Sequence, residues 1–245
     1  MSTVDMTPDA TPAGAVAQLE ALTVCEAFQN TVAEKADRVA LRNLGGEIEL
    51  TFAQVAERIQ RIATGMHALG VRHGDTVGLM LVNRPEFNLC DSAAIHLGAA
   101  PFSIYNTCSA EQISYLFSNA QNRVVITERQ FLPTIRAAGL ESIEHVICVD
   151  GDSEGSVSLE ELESLEDPGF DFQASWRAVS GDDLITICYT SGTTGPPKGV
   201  ELTHANVLAE CHAAAAVIEH HPEGRIISYL PNAHMADRYS THYVS

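Results

Sequence analysis

Four Ser/Thr hydroxyls, three glycines and Lys198, one of only two lysines in 245 residues, fall within the twelve residues Tyr189–Val200. That density suits an anion with several oxygens. Glycines let the backbone approach closely and take positive φ, while successive N–H groups and the hydroxyls of Thr190, Ser191, Thr193 and Thr194 turn donors inward. Lys198 adds a mobile positive charge. The spacing departs from the Walker loop, in which a hydroxyl residue directly follows the lysine. Here Pro197 precedes Lys198 and Gly199 follows it, leaving no adjacent hydroxyl to take magnesium in that geometry. Clusters of this composition also occur as solvent-facing turns, so the flanking sequence separates the two readings. Asp183–Tyr189 is an apolar, β-branched run that reads as a buried strand, and a short strand and a helix follow the loop. In open α/β sheets, ligands gather outside the carboxyl ends of strands.

Tyr189–Val200, continued by Glu201–Val207, resembles the phosphate-loop signature of the adenylate-forming superfamily, which includes acyl-CoA synthetases, luciferases and peptide-synthetase adenylation domains. Ser228–Arg238 resembles the next motif of the long-chain fatty acyl-CoA synthetases, and Asn83–Phe87 and Gly98–Thr107 are similar to that branch too. The resemblance covers the chain from about Leu22 onward. It implies that a fatty carboxylate attacks the α-phosphate of ATP, giving an acyl-adenylate and pyrophosphate, after which the thiol of coenzyme A displaces AMP. By that resemblance Thr190, Ser191, Gly192, Thr193, Thr194, Gly195 and Lys198 would bind the β- and γ-phosphates, stabilising the departing pyrophosphate. Thr194 would stand by the Mg2+ that arrives with ATP, and Lys198 and His234 are the catalytic candidates. His234 falls where the family places an aromatic residue or histidine beside the acyl pocket. Gating or positioning suits it better than general base catalysis, because a carboxylate nucleophile is already deprotonated at neutral pH. A hydrogen-bonded structural role is its alternative, and Asp237 and Arg238 read as helix-surface charges.

The family's downstream adenine-packing tyrosine, ribose-gripping aspartate and hinged lid with its catalytic lysine are not found in these residues. The chain therefore reads as the amino-terminal portion of a long-chain fatty acyl-CoA synthetase. A flexible tail is expected at 1–21 and a truncated AMP-binding domain at 22–245, with the lid absent. Its independent activity is an open question, and a downstream chain could supply the missing half. The rival readings are a non-enzymatic fragment, a phosphate-binding module unrelated to acyl activation, and a short-acyl or aryl-CoA ligase.

The elements that must hold this loop alternate along the chain. Thr23 with Glu26, Thr51 with Gln54 and Ser109 with Gln112 are capping boxes that open helices, the first reaching about Ala36 and the second about Gly70. Arg38–Leu44 and Glu47–Leu50 flank Gly45-Gly46 as a hairpin. Strands are expected at 76–82, 101–105, 123–127 and 145–149, with helices at 85–97 and around 131–138. This rhythm predicts an α/β fold, a mostly parallel sheet flanked by helices and left incomplete. Residues 166–181 read as a connector, and Ala213–Ala216 as a helix face packed close on the sheet.

A formal net charge of −18 repels phosphate backbones and argues against nucleic-acid partners. Nine acidic residues and no Lys or Arg lie between Asp150 and Asp171, which reads as a solvated helix and loop. Six cysteines without CxxC spacing suit free thiols in a reducing compartment, hence a cytoplasmic home, with peripheral membrane contact left open. No eighteen-residue apolar stretch is present, and the first eighteen residues are too acidic for a secretory signal.

Overall fold

The computed structural model describes residues 20–190, 195–218 and 224–243. Most of the expected tail, 1–21, falls outside them. Helix α1, Val24–Lys35, starts at Thr23, whose hydroxyl accepts the Glu26 N–H, while the Glu26 carboxylate accepts from Leu22 N instead of closing the box. Strands β1 (Val39–Arg42) and β2 (Glu49–Thr51) form the expected antiparallel hairpin. Helix α2, Phe52–Ala68, carries the full Thr51/Gln54 capping box and ends before Gly70, whose φ is 91°.

The main sheet has five parallel strands in the order β4-β3-β5-β6-β7. They are β3 (Thr76–Met80), β4 (Ala100–Ser103), β5 (Val124–Thr127), β6 (His145–Cys148) and β7 (Val157–Ser158). Three helices link the first four strands: α3 (Pro85–His96), α4 (Ala110–Ala120) and α5 (Leu132–Ala137). Alternation of side chains along each strand divides the core in two. Val77, Leu79, Val124 and Ile126 pack with α2 and α3 on one face, while Met80, Phe102 and Val125 pack with α4 and α5 on the other.

Helix α6 (Leu159–Ser164) follows β7 directly, and α7 (Phe172–Arg177) interrupts the stretch expected to be a bare connector. Asp171 caps α7 by accepting from Ala174 N, and Phe172 is buried, so a Pro/Gly-rich tract still supplies a core residue. The acidic run is less solvated than its composition implies. Glu163 is gripped by Arg58 and Arg61, Asp150 by Arg84, and Asp167 by His67, each partner lying outside the run.

Strand β8 (Leu184–Thr190) returns antiparallel against β9 (Lys198–Thr203), and the two form a sheet of their own. The phosphate-loop candidate is thus a hairpin tip, not the strand-to-helix crossover of a parallel unit. Helix α8, His204–Ala215, leaves β9 through a capping box made by Thr203 and Asn206. It buries His204, Val207, Leu208 and Cys211, while Ala213–Ala216 are half-buried or exposed, so the expected close packing of that alanine run is not found. Met235–Asp237 forms a short helix, α9, which runs into a π-helical turn at Arg238–Tyr243.

All six cysteines are free thiols and four are buried. Among the described residues no helix is long and apolar enough to cross a membrane.

Candidate active site

The hairpin that ends in the Gly/Thr loop is held by its aromatic residue. Tyr189 sets its ring edge-on to Phe102 of β4, with centroids 5.8 Å apart, and its hydroxyl lies 2.8 Å from Asn119 Oδ1 and 3.3 Å from the Leu116 carbonyl on α4. Burial pushes the Tyr189 hydroxyl up to about 12, so it stays a neutral donor. On the returning side, Tyr115 of α4 donates to the Pro197 carbonyl at 2.9 Å. Gly199 is required by this packing, since a Cβ there would sit 2.8 Å from Ile187 Cγ2 and 3.3 Å from the Tyr189 ring.

Thr190, Gly195 and Lys198 are all exposed, and Thr190 faces Lys198 across the register. Gly195 has φ 104°, a conformation that favours glycine. Ser191, Gly192, Thr193 and Thr194, the rest of the expected phosphate cradle and its Mg2+ contact, lie outside the described residues. Among the described residues no group of three or more His, Cys, Asp or Glu side chains could hold a metal ion.

A cleft of about 100 Å³ opens beyond the carboxyl ends of β3 and β4, between residues 81–83, residues 104–106 and the segment 229–233. It lies one strand away from the point where the sheet's winding reverses, between β3 and β5. That reversal crevice is plugged. Glu128, buried just after β5, accepts from Val82 N at 2.6 Å and from Gln130 Nε2 at 2.8 Å, and Arg84 stands 3.7 Å away.

The outer wall of the cleft belongs to the second motif, which a polar network fastens. Asn83 Nδ2 donates to Ser228 Oγ and to the Leu230 carbonyl, both at 2.7 Å. The Asp237 carboxylate accepts from Ser228 Oγ at 2.6 Å, from Leu230 N at 3.3 Å and from Thr241 Oγ1 at 3.0 Å. Arg238 pairs with Asp91 of α3 and donates to the Pro101 carbonyl at 2.8 Å, with His242 Nε2 2.9 Å from the other Asp91 oxygen. Asp237 and Arg238 are therefore buried, at 2% and 3% exposure, and the expectation of helix-surface charges is overturned. The sequence does hold a sign of this. Asp91 sits in the apolar run Leu89–Ile95, and a carboxylate buried on an all-round apolar helix needs a counterion.

His234 is exposed, one residue past the cleft-lining Ala233, and its Nδ1 accepts from Ala236 N at 3.1 Å as the cap of α9. No hydrogen bond or ion pair joins it to Lys198 among the described residues. Sequence reasoning did not single out Asn83, Asp91 or Glu128 as site residues.

Comparison with known proteins decides the family. A model of the AMP-binding enzyme family matches residues 28–244, which includes the hairpin loop and the second motif. The chain belongs to the AMP-binding enzymes. Over 129 residues this AMP-binding chain is 50% identical to "Uncharacterized protein Rv1549" of Mycobacterium tuberculosis, covering 53% of this chain and 73% of that one. It is 32% identical over 199 residues to the long-chain-fatty-acid–CoA ligase FadD15 of Mycobacterium bovis, covering 78% of this chain and 32% of the ligase. The inhibitor-bound N-terminal domain of FACL13 from Mycobacterium tuberculosis superposes with a TM-score of 0.79 at 27% identity, covering 91% of this chain and 55% of that one. The chain thus spans about a third of the curated ligase and about half of the solved domain.

Proposed function

We propose that the chain contributes the phosphate-binding and acyl-side half of a fatty acid–CoA ligase site. One observation carries the reading: the family match runs unbroken through both Tyr189–Val200 and Ser228–Arg238. In the first step a carboxylate oxygen of the fatty acid forms a bond to the α-phosphorus of ATP, and the bond to the β-phosphate oxygen breaks. Pyrophosphate leaves carrying the electron pair. In the second step the thiol of coenzyme A loses its proton to solvent, its sulfur bonds to the acyl carbon, and AMP departs with its phosphate oxygen taking the electrons. Lys198 and the hydroxyl and N–H donors of the hairpin tip would meet the charge that builds on pyrophosphate, a role suited to preorganised donors. Magnesium would enter on the triphosphate and neutralise part of that charge. His234 would orient the acid at the mouth of the cleft, because no proton needs removing from a carboxylate.

The size of the cleft favours a second reading of how the chain acts. Sites for drug-sized ligands usually enclose roughly 300–1,000 Å³, and the cleft here measures about 100 Å³. The described residues then form one wall of the site, and a further polypeptide closes it. The test is to measure ATP affinity and palmitate-dependent pyrophosphate release with the purified chain, alone and with the remaining part of the ligase added as a separate polypeptide. Nucleotide binding that weakens in Lys198→Ala, with pyrophosphate release only after addition, is the expected result. A chain that binds ATP no more tightly than Lys198→Ala overturns the proposal.

A further inference from the structure

We propose that Arg238 is a positioning residue: anchored on Asp91 and Pro101, it sets where the 229–233 wall of the cleft stands, an inference that rests on the function proposed above. β4 is the end strand, and its Ala100 and Ile104 N–H groups donate to Asp75 and Leu79 carbonyls along β3. Alternate residues along a strand aim their backbone groups the other way, so those of Pro101 and Ser103 point away from β3. Proline has no N–H to leave unpaired there. Its carbonyl would still be buried without a donor, and Arg238 Nη2 supplies one at 2.8 Å.

The same guanidinium is held from a second element. Asp91, fully buried on α3, takes one nitrogen of Arg238, and the rings of Phe87 and Tyr243 lie within 5.7 Å of its central carbon. Asn88, one turn before Asp91, contacts His242 Nδ1 at 2.9 Å, so one face of α3 grips the π-helical turn at two points. Arg238 is also the direct neighbour of Asp237, whose two oxygens hold Ser228 and Leu230. Asn83, just before α3, grips those same two residues from the other side. The cleft wall between Leu230 and Asp237 is therefore tied at both ends to a single helix and its leader. Both bonds leave one nitrogen, Nη2, while the flat guanidinium lies near the Phe87 and Tyr243 rings, a contact that the compact ammonium of a lysine does not reproduce.

The test pairs two readouts on the whole chain: amide hydrogen exchange over residues 228–237, and titration with a sulfamoyl analogue of dodecanoyl-adenylate. The main variant is the double substitution Asp91→Leu/Arg238→Met. It removes both charges at once, so no unpaired ion is left in the core. The expected result is a melting temperature within about 4 °C of wild type, with exchange of 228–237 about tenfold faster than in wild type. Affinity for the analogue falls by about tenfold as the wall loses its placement. Arg238→Lys, which keeps the charge but not the flat guanidinium beside the two rings, falls between the two. A folded double variant with unchanged local exchange overturns the proposal. If the double variant does not fold, Arg238→Lys carries the same readouts, and unaltered exchange there overturns it equally. A wild-type chain that fails to bind the analogue refutes the functional reading instead, while the exchange data still decide the positioning.

Discussion

Lys198 stands exposed on the first residue of β9, opposite Thr190, with no ion pair among the described residues. Lys198→Ala should therefore leave stability unchanged and weaken ATP binding by roughly 1.5–3 kcal/mol, the worth of a hydrogen bond to a charged group. Calorimetric titration beside a thermal melt checks both halves. A different pair of residues governs acid sensitivity. His96 and His204 are fully buried, and burial lowers both to about 4. His204 Nδ1 accepts from Val24 N at 3.2 Å, and its Nε2 has no partner among the described residues, so an imidazolium there would lose one bond and strand two donors. The unfolded chain binds protons below about pH 6.5 that the native state refuses. Stability is then full above that pH and declines as pH falls toward 4, by roughly 3 kcal/mol per group. Urea midpoints at pH 7.5 and 5 measure this, and His204→Asn, whose Oδ1 replaces Nδ1 as acceptor, should flatten the slope. Neither histidine stood out in the sequence, since nothing near them in the chain announces burial. Their partners, Gln29, Phe172 and the Val24 amide, come from distant helices.

Close approach of helices limits what the elements tolerate. A Cβ on Gly65 of α2 would overlap the Leu162 carbonyl of α6, with which it is in direct contact. Gly65→Ala should force the helices apart and cost about 1–3 kcal/mol, measured by urea unfolding, without altering nucleotide affinity. Thr203→Ala, which removes the cap of α8 below the hairpin, should cost about 1 kcal/mol by the same measurement. Most elements were legible in the chain itself. The Thr51/Gln54 and Ser109/Gln112 boxes mark helix starts that the structure keeps, and the strand–helix alternation between residues 76 and 148 appears as a parallel sheet. The pairing of β8 with β9 was not legible, because a strand, a glycine loop and a strand look alike in sequence whether they cross over a sheet or fold back. Helix α7 was hidden by the prolines and glycines around it. Of the candidate site, the loop and the second motif were readable from residue types, whereas the bonds fastening that motif arise 137 and 147 residues away and only the fold brings them together.

At the scale of the whole molecule, several large apolar side chains after α8 stand in solvent. Val217, Ile227 and Tyr229 are 83%, 77% and 77% exposed, and Ile218 and Ile226 are exposed beside them in sequence. Such side chains in a folded chain should bind anilinonaphthalene dye, and Ile226→Ser/Ile227→Ser should reduce the fluorescence without shifting the melting temperature. The net charge of −18 opposes self-association at low ionic strength, so light scattering should rise as salt screens it. The order of strands carries one more consequence. Every partner in the five-stranded sheet lies between residues 76 and 158, and each new strand joins one made no more than two strands earlier. During translation all the strands of this sheet are made before the Gly/Thr hairpin, and proteins of largely sequence-local wiring assemble quickly. The β8–β9 hairpin then docks onto a platform already in place.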